Sequence, residues 1–213
     1  MKLNLILGLA LALFASYSLP SYAQKLPAEC GQIGGGYGPY DYRTHKKELE
    51  IVEGAHFTPE VERLERGNRS GAKPGGDIAY TLGASPNHHR ALKAMMDLAR
   101  KEKRDPPYGV RYSVSCWYQR AEVYRPDDGM VKVLHGIFLL RSGKRAEAVG
   151  KLEQAASLDS GDGNIQYNLG LAYFDVGLHE KALQSAHRAY AAGFPLPGLR
   201  EKLKRAGKWR AAQ

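Results

Sequence analysis

The side chains of this chain best able to do chemistry are its histidines, its two cysteines and a few paired carboxylates. A metal centre would have to draw on His45, His56, His88 and His89. His88 and His89 are adjacent, so on a helix they diverge, and neither HxxxH nor HExxH occurs. Helix-start and surface roles fit these histidines better, and no metal or other cofactor is expected. CxxC, CxxCH and zinc-finger spacings are missing from the sequence, which removes support for redox catalysis, covalent haem and cysteine–zinc binding. There is no GxSxG, and Ser70 and Ser115 have no activating context. The glycine-rich run 31–36 is followed by no Walker lysine and sits in no strand–turn–helix frame, so it does not read as a nucleotide loop. The pairs Asp127/Asp128 and Glu60/Glu62 suit helix starts and solvated faces. No catalytic residue is expected, and the chain reads as a non-enzyme.

Cys30 and Cys116 gain meaning from the N-terminus. Lys2, the apolar run 3–15 and the small residues Ser21 and Ala23 read as an export signal at 1–23, cleaved after Ala23. The run is shorter than the roughly 20 residues that span a bilayer, and no later segment could cross one once the signal is removed. The expected product is exported to an oxidising compartment. There two cysteines most simply form one disulfide; two buried free thiols are the alternative. Loss of Lys2 with the signal lowers the formal charge from +9 to +8. Export argues against nucleic acid as a partner and leaves anionic lipid, cell-wall polymer or an acidic protein.

A second group suits binding more than catalysis. Tyr37, Tyr40, Tyr42 and Arg43 lie in one segment, and Tyr108, Arg111, Tyr112, Trp117 and Tyr118 in another. A Cys30–Cys116 bond would draw the two together. Tyrosine, tryptophan and arginine are frequent interface anchors, so Tyr37, Tyr40, Tyr42, Arg111 and Trp117 form a candidate glycan or small-ligand site. The alternative is that the rings fill an N-terminal subcore.

The elements that must position these residues show a period of 34. Gly136 and Gly170, Gly143 and Gly177, Ala148 and Ala182, and Ala155 and Ala189 are each 34 apart. Each member sits in a pattern of two short amphipathic helices and a loop. Helices are expected at 46–53, from Thr58 to near Gly67, and at 77–84, with Ile78, Tyr80 and Leu82 partly buried, although alternation there also suits a strand. The pairs follow at 88–101 with 112–124, 128–142 with 144–158, and 164–176 with 179–192, then a helix at 199–208. Pro86 and Pro126 are 40 apart, and the six extra residues fit in the Pro- and Gly-containing connection 101–112.

The last two units resemble the tetratricopeptide repeat family. Leu169, Gly170, Tyr173, Ala182 and Ala189 stand at signature positions, as do Gly136, Leu139, Ala148 and Ala155. His135 stands where leucine is usual. The preceding pair keeps Leu92, Ala99, Ala121 and Pro126 but has Met96 where glycine is expected. The segments CGxxxxxYGPYDYR, HFTPEVERL and DIAYTLGASPNHHRAL resemble small exported bacterial repeat proteins of unassigned role. The resemblance implies an all-α, antiparallel helix-pair solenoid. Its parts would be a signal (1–23), an irregular Gly/Tyr-rich segment (24–44), divergent N-terminal helices (45–86), a divergent repeat with a lengthened turn (87–128), two repeats (129–162 and 163–196) and a capping helix and tail (197–213). It further implies a periplasmic scaffold, adaptor or enzyme accessory subunit that holds a protein or peptide partner, such as a cell-envelope component, in a groove. Asn168, Lys132, Gln166, Tyr173 and Arg120, with Asn87, are the polar residues expected to line that groove.

Overall fold

A computed structural model describes residues 25–34 and 36–211; the expected export signal lies outside them. The described residues form ten α-helices, one 3-10 turn at Ala28–Cys30 and no strand. In chain order the helices are α1 (Lys46–His56), α2 (Pro59–Glu62), α3 (Gly75–Ala84), α4 (His89–Glu102), α5 (Val114–Tyr124), α6 (Gly129–Arg141), α7 (Arg145–Leu158), α8 (Gly163–Asp175), α9 (His179–Ala191) and α10 (Gly198–Arg205). No helix among the described residues is long and apolar enough to cross a membrane.

Recurrent start and stop signals build the helix pairs. The side chains of His88, Asp128 and Asp162 accept the backbone N–H of Ala91, Val131 and Ile165, so α4, α6 and α8 begin alike. The first helices of the last two pairs end alike as well. Gly143 and Gly177 take φ of +77° and +80°. The N–H groups of Lys144 and Leu178 then reach back to the carbonyls of Leu139 and Tyr173, which closes the helix ends in Schellman fashion. These short turns fold α7 onto α6 and α9 onto α8 as tight antiparallel pairs. The pairs join through α7 on α8, and through α6 against both α4 and α8. Thus α4, α6 and α8 run side by side.

Glycine permits the closest of these approaches. A Cβ on Gly136 would lie 2.7 Å from Leu152 Cγ, so α6 and α7 meet there with no room for a methyl group. A Cβ on Gly170 would run into Leu199 of α10 and come within 3.3 Å of the Ala182 carbonyl of α9. Two apolar clusters result. One spans α2 to α6 around Leu92, Met95 and Tyr118; the other spans α6 to α10 around Leu152, Ala172 and Leu199. Met130 and Ile137 of α6 touch both.

Two expectations change in the N-terminal third, the end of the second helix and the burial of Tyr80. The helix begun at Pro59 ends at Glu62 instead of near Gly67, because Leu64 takes the left-handed backbone conformation. The loop after it is gathered onto the start of α3, where the buried Asp77 carboxylate accepts the N–H groups of Asn68, Arg69 and Ser70. Residues 75–84 are helical, so Ile78 and Leu82 share the inner face at a spacing of four. Tyr80 is turned outward and stacks on His56 at 3.8 Å.

The irregular segment is fastened at two places. Cys30 and Cys116 form a disulfide, and Arg120 Nη1 donates to the Cys30 and Gln32 carbonyls beside it. Further along, buried Asp41 receives Asn87, Arg43 and Arg125, and the Tyr42 ring lies 4.3 Å from that of His88. The segment thus crosses both linkers, 85–88 and 125–128.

Candidate functional site

Helices α4, α6 and α8, in contact in that order, share an outward face. On α6 the spacing of four, three and four places Met130, Leu134, Ile137 and Arg141 on one side, and on α8 the residues 34 later are Asn164, Asn168, Leu171 and Asp175. Most of these are half-buried or exposed. Contacts cross between neighbouring helices along this face: Asn164 Nδ2 lies 3.8 Å from Met130 Sδ, and Arg141 Nη1 donates to Asp97 Oδ1 at 2.8 Å. The face grades from charged on α4 (Arg90, Asp97, Lys101) to apolar and amide on α6 and α8. Burial works against its charge, but the Lys93 and Arg141 contacts hold the Asp97 carboxyl below the usual carboxylate range.

Of the residues expected in a groove, not all share this face. Asn168 does, held by a hydrogen bond to Asn164 Oδ1. Lys132 and Gln166 are one period apart, and both are buried, with exposures of 9% and 1%. Gln166 Nε2 donates to the Ser160 carbonyl in the linker. Arg120 belongs to α5 and is spent on the N-terminal segment. Asn87 is buried and donates to Asp41 and Asp128. Tyr173 is buried, with its hydroxyl on Glu153 Oε1 of α7; burial and then that carboxylate push its pKa up to about 12. A polar residue on a first helix can face either the seam or solvent, and composition does not distinguish the two.

The aromatic candidates separate as well. Tyr37 and Tyr40 pair edge to face at 5.1 Å, whereas Tyr42 packs on His88 and His89. Trp117 is buried against Tyr112 with Arg120 over its ring, and Arg111 is exposed beside Tyr112. No ring contact joins the two groups among the described residues. The disulfide fastens Cys30, while Tyr37 to Tyr42 run on to the α3–α4 linker.

The histidines act through carboxylates. His56, His88, His89 and His135 lie within hydrogen-bond distance of Asp77, Glu53, Asp128 and Glu122. His88 Nδ1 accepts the Ala91 N–H, which places the ring proton on Nε2 toward Glu53. Burial pushes the His88 pKa down. Glu122 on α5 joins α6 and α7 by meeting His135 Nδ1 at 2.7 Å and Lys151 Nζ at 2.6 Å. Burial opposes its charge, yet those two partners hold its carboxyl below the usual range. Each of these pairs ties one helix or linker to another. No group of three or more metal-ligating side chains occurs among the described residues.

Sequence reasoning missed Asp97, Arg100, Phe138 and Arg141. Lys93–Asp97 at a spacing of four and Asp97–Arg100 at three were visible signs of a charged stripe on α4. The approach of Arg141 was not, because it depends on how α6 docks. No protein-family model matches the chain, and no curated protein matches its sequence.

Proposed function

We propose that this chain is an exported, non-catalytic adaptor of tetratricopeptide-repeat type, which holds a protein or peptide partner on the face of α4, α6 and α8. The observation that carries the reading is that face itself. Three helices with matching starts lie side by side, and half-buried Met130, Ile137, Asn168 and Leu171 remain open to a partner. A surface that mixes apolar and hydrogen-bonding side chains on rigid helices suits peptide recognition. Gly136, Gly170 and the alanines at the 34-residue period are consumed by helix packing, and Gly143 and Gly177 by the turns, which fits a scaffold role. The intramolecular disulfide is compatible with an oxidising compartment such as the periplasm.

Purified wild-type protein and two variant sets, immobilised and exposed to a periplasmic extract, test the reading. Ile137→Ser with Leu171→Ser alters the helix face, and Tyr37→Ala with Tyr40→Ala alters the N-terminal segment. Loss of the same captured partner with the first set alone, at unchanged circular dichroism, is the expected result. Loss with the second set alone transfers recognition to the tyrosine-rich segment.

A further inference from the structure

A cavity of about 390 Å³ lies between the C-terminal ends of α4 and α6. Met96, Ala99 and Phe138 give it an apolar floor, and Arg100, Lys103 and Arg141 stand at its rim. Its third wall is the start of the lengthened α4–α5 connection. The turns at 142–144 and 176–178 are too short to build one. Met96, which occupies the position of Gly136 and Gly170 in the later pairs, supplies part of the floor. The two departures of this pair from the 34-residue pattern therefore converge on one feature.

The charge around the cavity is unbalanced. Asp97 is shared by three cations, Lys93 at 2.7 Å, Arg141 at 2.8 Å and Arg100 at 3.7 Å. Lys103 makes no ion pair among the described residues. Arg104 donates to the Pro106 carbonyl and lies over the Tyr108 ring. Asp105 accepts the Val114 N–H with one of its oxygens. The ends of α4 and α6 contribute about half a negative charge each. Five cations thus face two carboxylates and two helix ends, an excess of about two positive charges. Compensation of the helix ends accounts for only part of the basic side chains.

We propose that this cavity is the anchor point for an acidic peptide segment that inserts one aromatic or large aliphatic side chain between α4 and α6. The inserted side chain would cover Met96 and Phe138, and flanking carboxylates would take Arg100, Lys103 and Arg141, of which only Arg141 and Arg100 have a carboxylate within the fold. A second hollow, along Leu64, Lys93, Asp97 and Lys101, shares Arg100 with the first and gives the peptide a path toward α2. The proposal rests on the adaptor reading and names the chemistry of the partner.

Fluorescence anisotropy with a short labelled peptide, a phenylalanine flanked by aspartates, tests it on the purified protein. Two further probes replace the phenylalanine by alanine or the aspartates by lysines. The aspartate–phenylalanine probe should bind, more weakly as ionic strength rises, and each altered probe should lose about tenfold in affinity or more. Arg100→Glu with Lys103→Glu should cost about tenfold. Both side chains are well exposed, so folding should be retained, as circular dichroism would verify. Asn168→Ala with Leu171→Ser should change affinity by less than about twofold. Failure of the first probe to bind, or equal binding to the charge-reversed variant, overturns the proposal. Binding lost only with the α8 substitutions also overturns it, yet leaves the adaptor face standing.

Discussion

A single methyl group at Gly136 should destabilise this protein, while the same methyl group at Gly150 should stabilise it. Both glycines lie inside helices, where glycine costs about 0.8–1.0 kcal/mol relative to alanine. A Cβ at Gly150 meets nothing within 4 Å, so Gly150→Ala should gain most of that amount. A Cβ at Gly136 meets Leu152 Cγ at 2.7 Å and its two methyl carbons at 3.1 and 3.2 Å. Leu152 is fully buried, so the whole side chain, and α7 with it, must shift. Overpacking of this kind costs about 1–3 kcal/mol. Set against the propensity gain, Gly136→Ala should lose roughly 0–2 kcal/mol, and the two variants should differ by about 1–3 kcal/mol. Leu152→Ala alone should cost about 2–5 kcal/mol. In the double variant the new methyl group occupies part of the vacated space, so the combined loss should fall short of additivity by about 0.5–3 kcal/mol. Denaturant unfolding of the four proteins reads all of these values, and each kcal/mol should also move the thermal midpoint by roughly 2–4 °C. Equal stabilisation by the two glycine substitutions, or strict additivity with Leu152→Ala, would refute the close α6–α7 approach.

Three further outcomes follow from the same packing. Thiol labelling of non-reduced, unfolded protein should find no free cysteine, and reduction should lower stability by up to about 4–5 kcal/mol for a loop closed across 86 residues; two labelled thiols would contradict it. Glu122→Ala leaves His135 and Lys151 without their shared carboxylate and should cost about 3 kcal/mol, whereas exposed Lys144→Ala should stay within about 0.5 kcal/mol; similar denaturant midpoints would remove the Glu122 link. Because His88 has a folded pKa below its unfolded value of about 6.5, the unfolded chain binds the proton first, and stability should decline as pH falls below about 6.5. Glu122, Asp97 and Asp128 have depressed carboxyl pKa values, so their contribution is present above about pH 4 and is lost below it. A His88→Asn variant should lack the first decline and keep the second, as pH-dependent unfolding would reveal.

The helical pairs were legible in the sequence because periodicity and punctuation agreed. Gly143 and Gly177 mark turns, Asp128 marks a start, and small residues recur at contact positions. The cysteine pair was legible from its number together with the expected oxidising compartment. The groove residues were less so. Lys132 and Gln166 are polar residues on first helices, yet both are buried, the first by its long stem and the second with its Nε2 on the Ser160 carbonyl. Arg120 was expected in the groove, but its Nη1 donates to the Cys30 and Gln32 carbonyls. Local alternation at 78–82 imitated a strand, and packing against α1 and α4 decided for a helix. The basic-rimmed cavity depends on the approach of α6 to α4 and on the path of the connection between α4 and α5, which no local pattern encodes.

Position-specific photo-crosslinking in intact cells tests the central claim most directly. A photoreactive residue placed at Ile137 or Leu171 reports on the face of α4, α6 and α8. One placed at the exposed Leu178 reports on a turn, and one at exposed Tyr80 reports on the N-terminal end. The adaptor account predicts one recurrent protein adduct from Ile137 and Leu171, identified by mass spectrometry and absent from Leu178 and Tyr80. Adducts only from Leu178 or Tyr80, or none from any position, would contradict it.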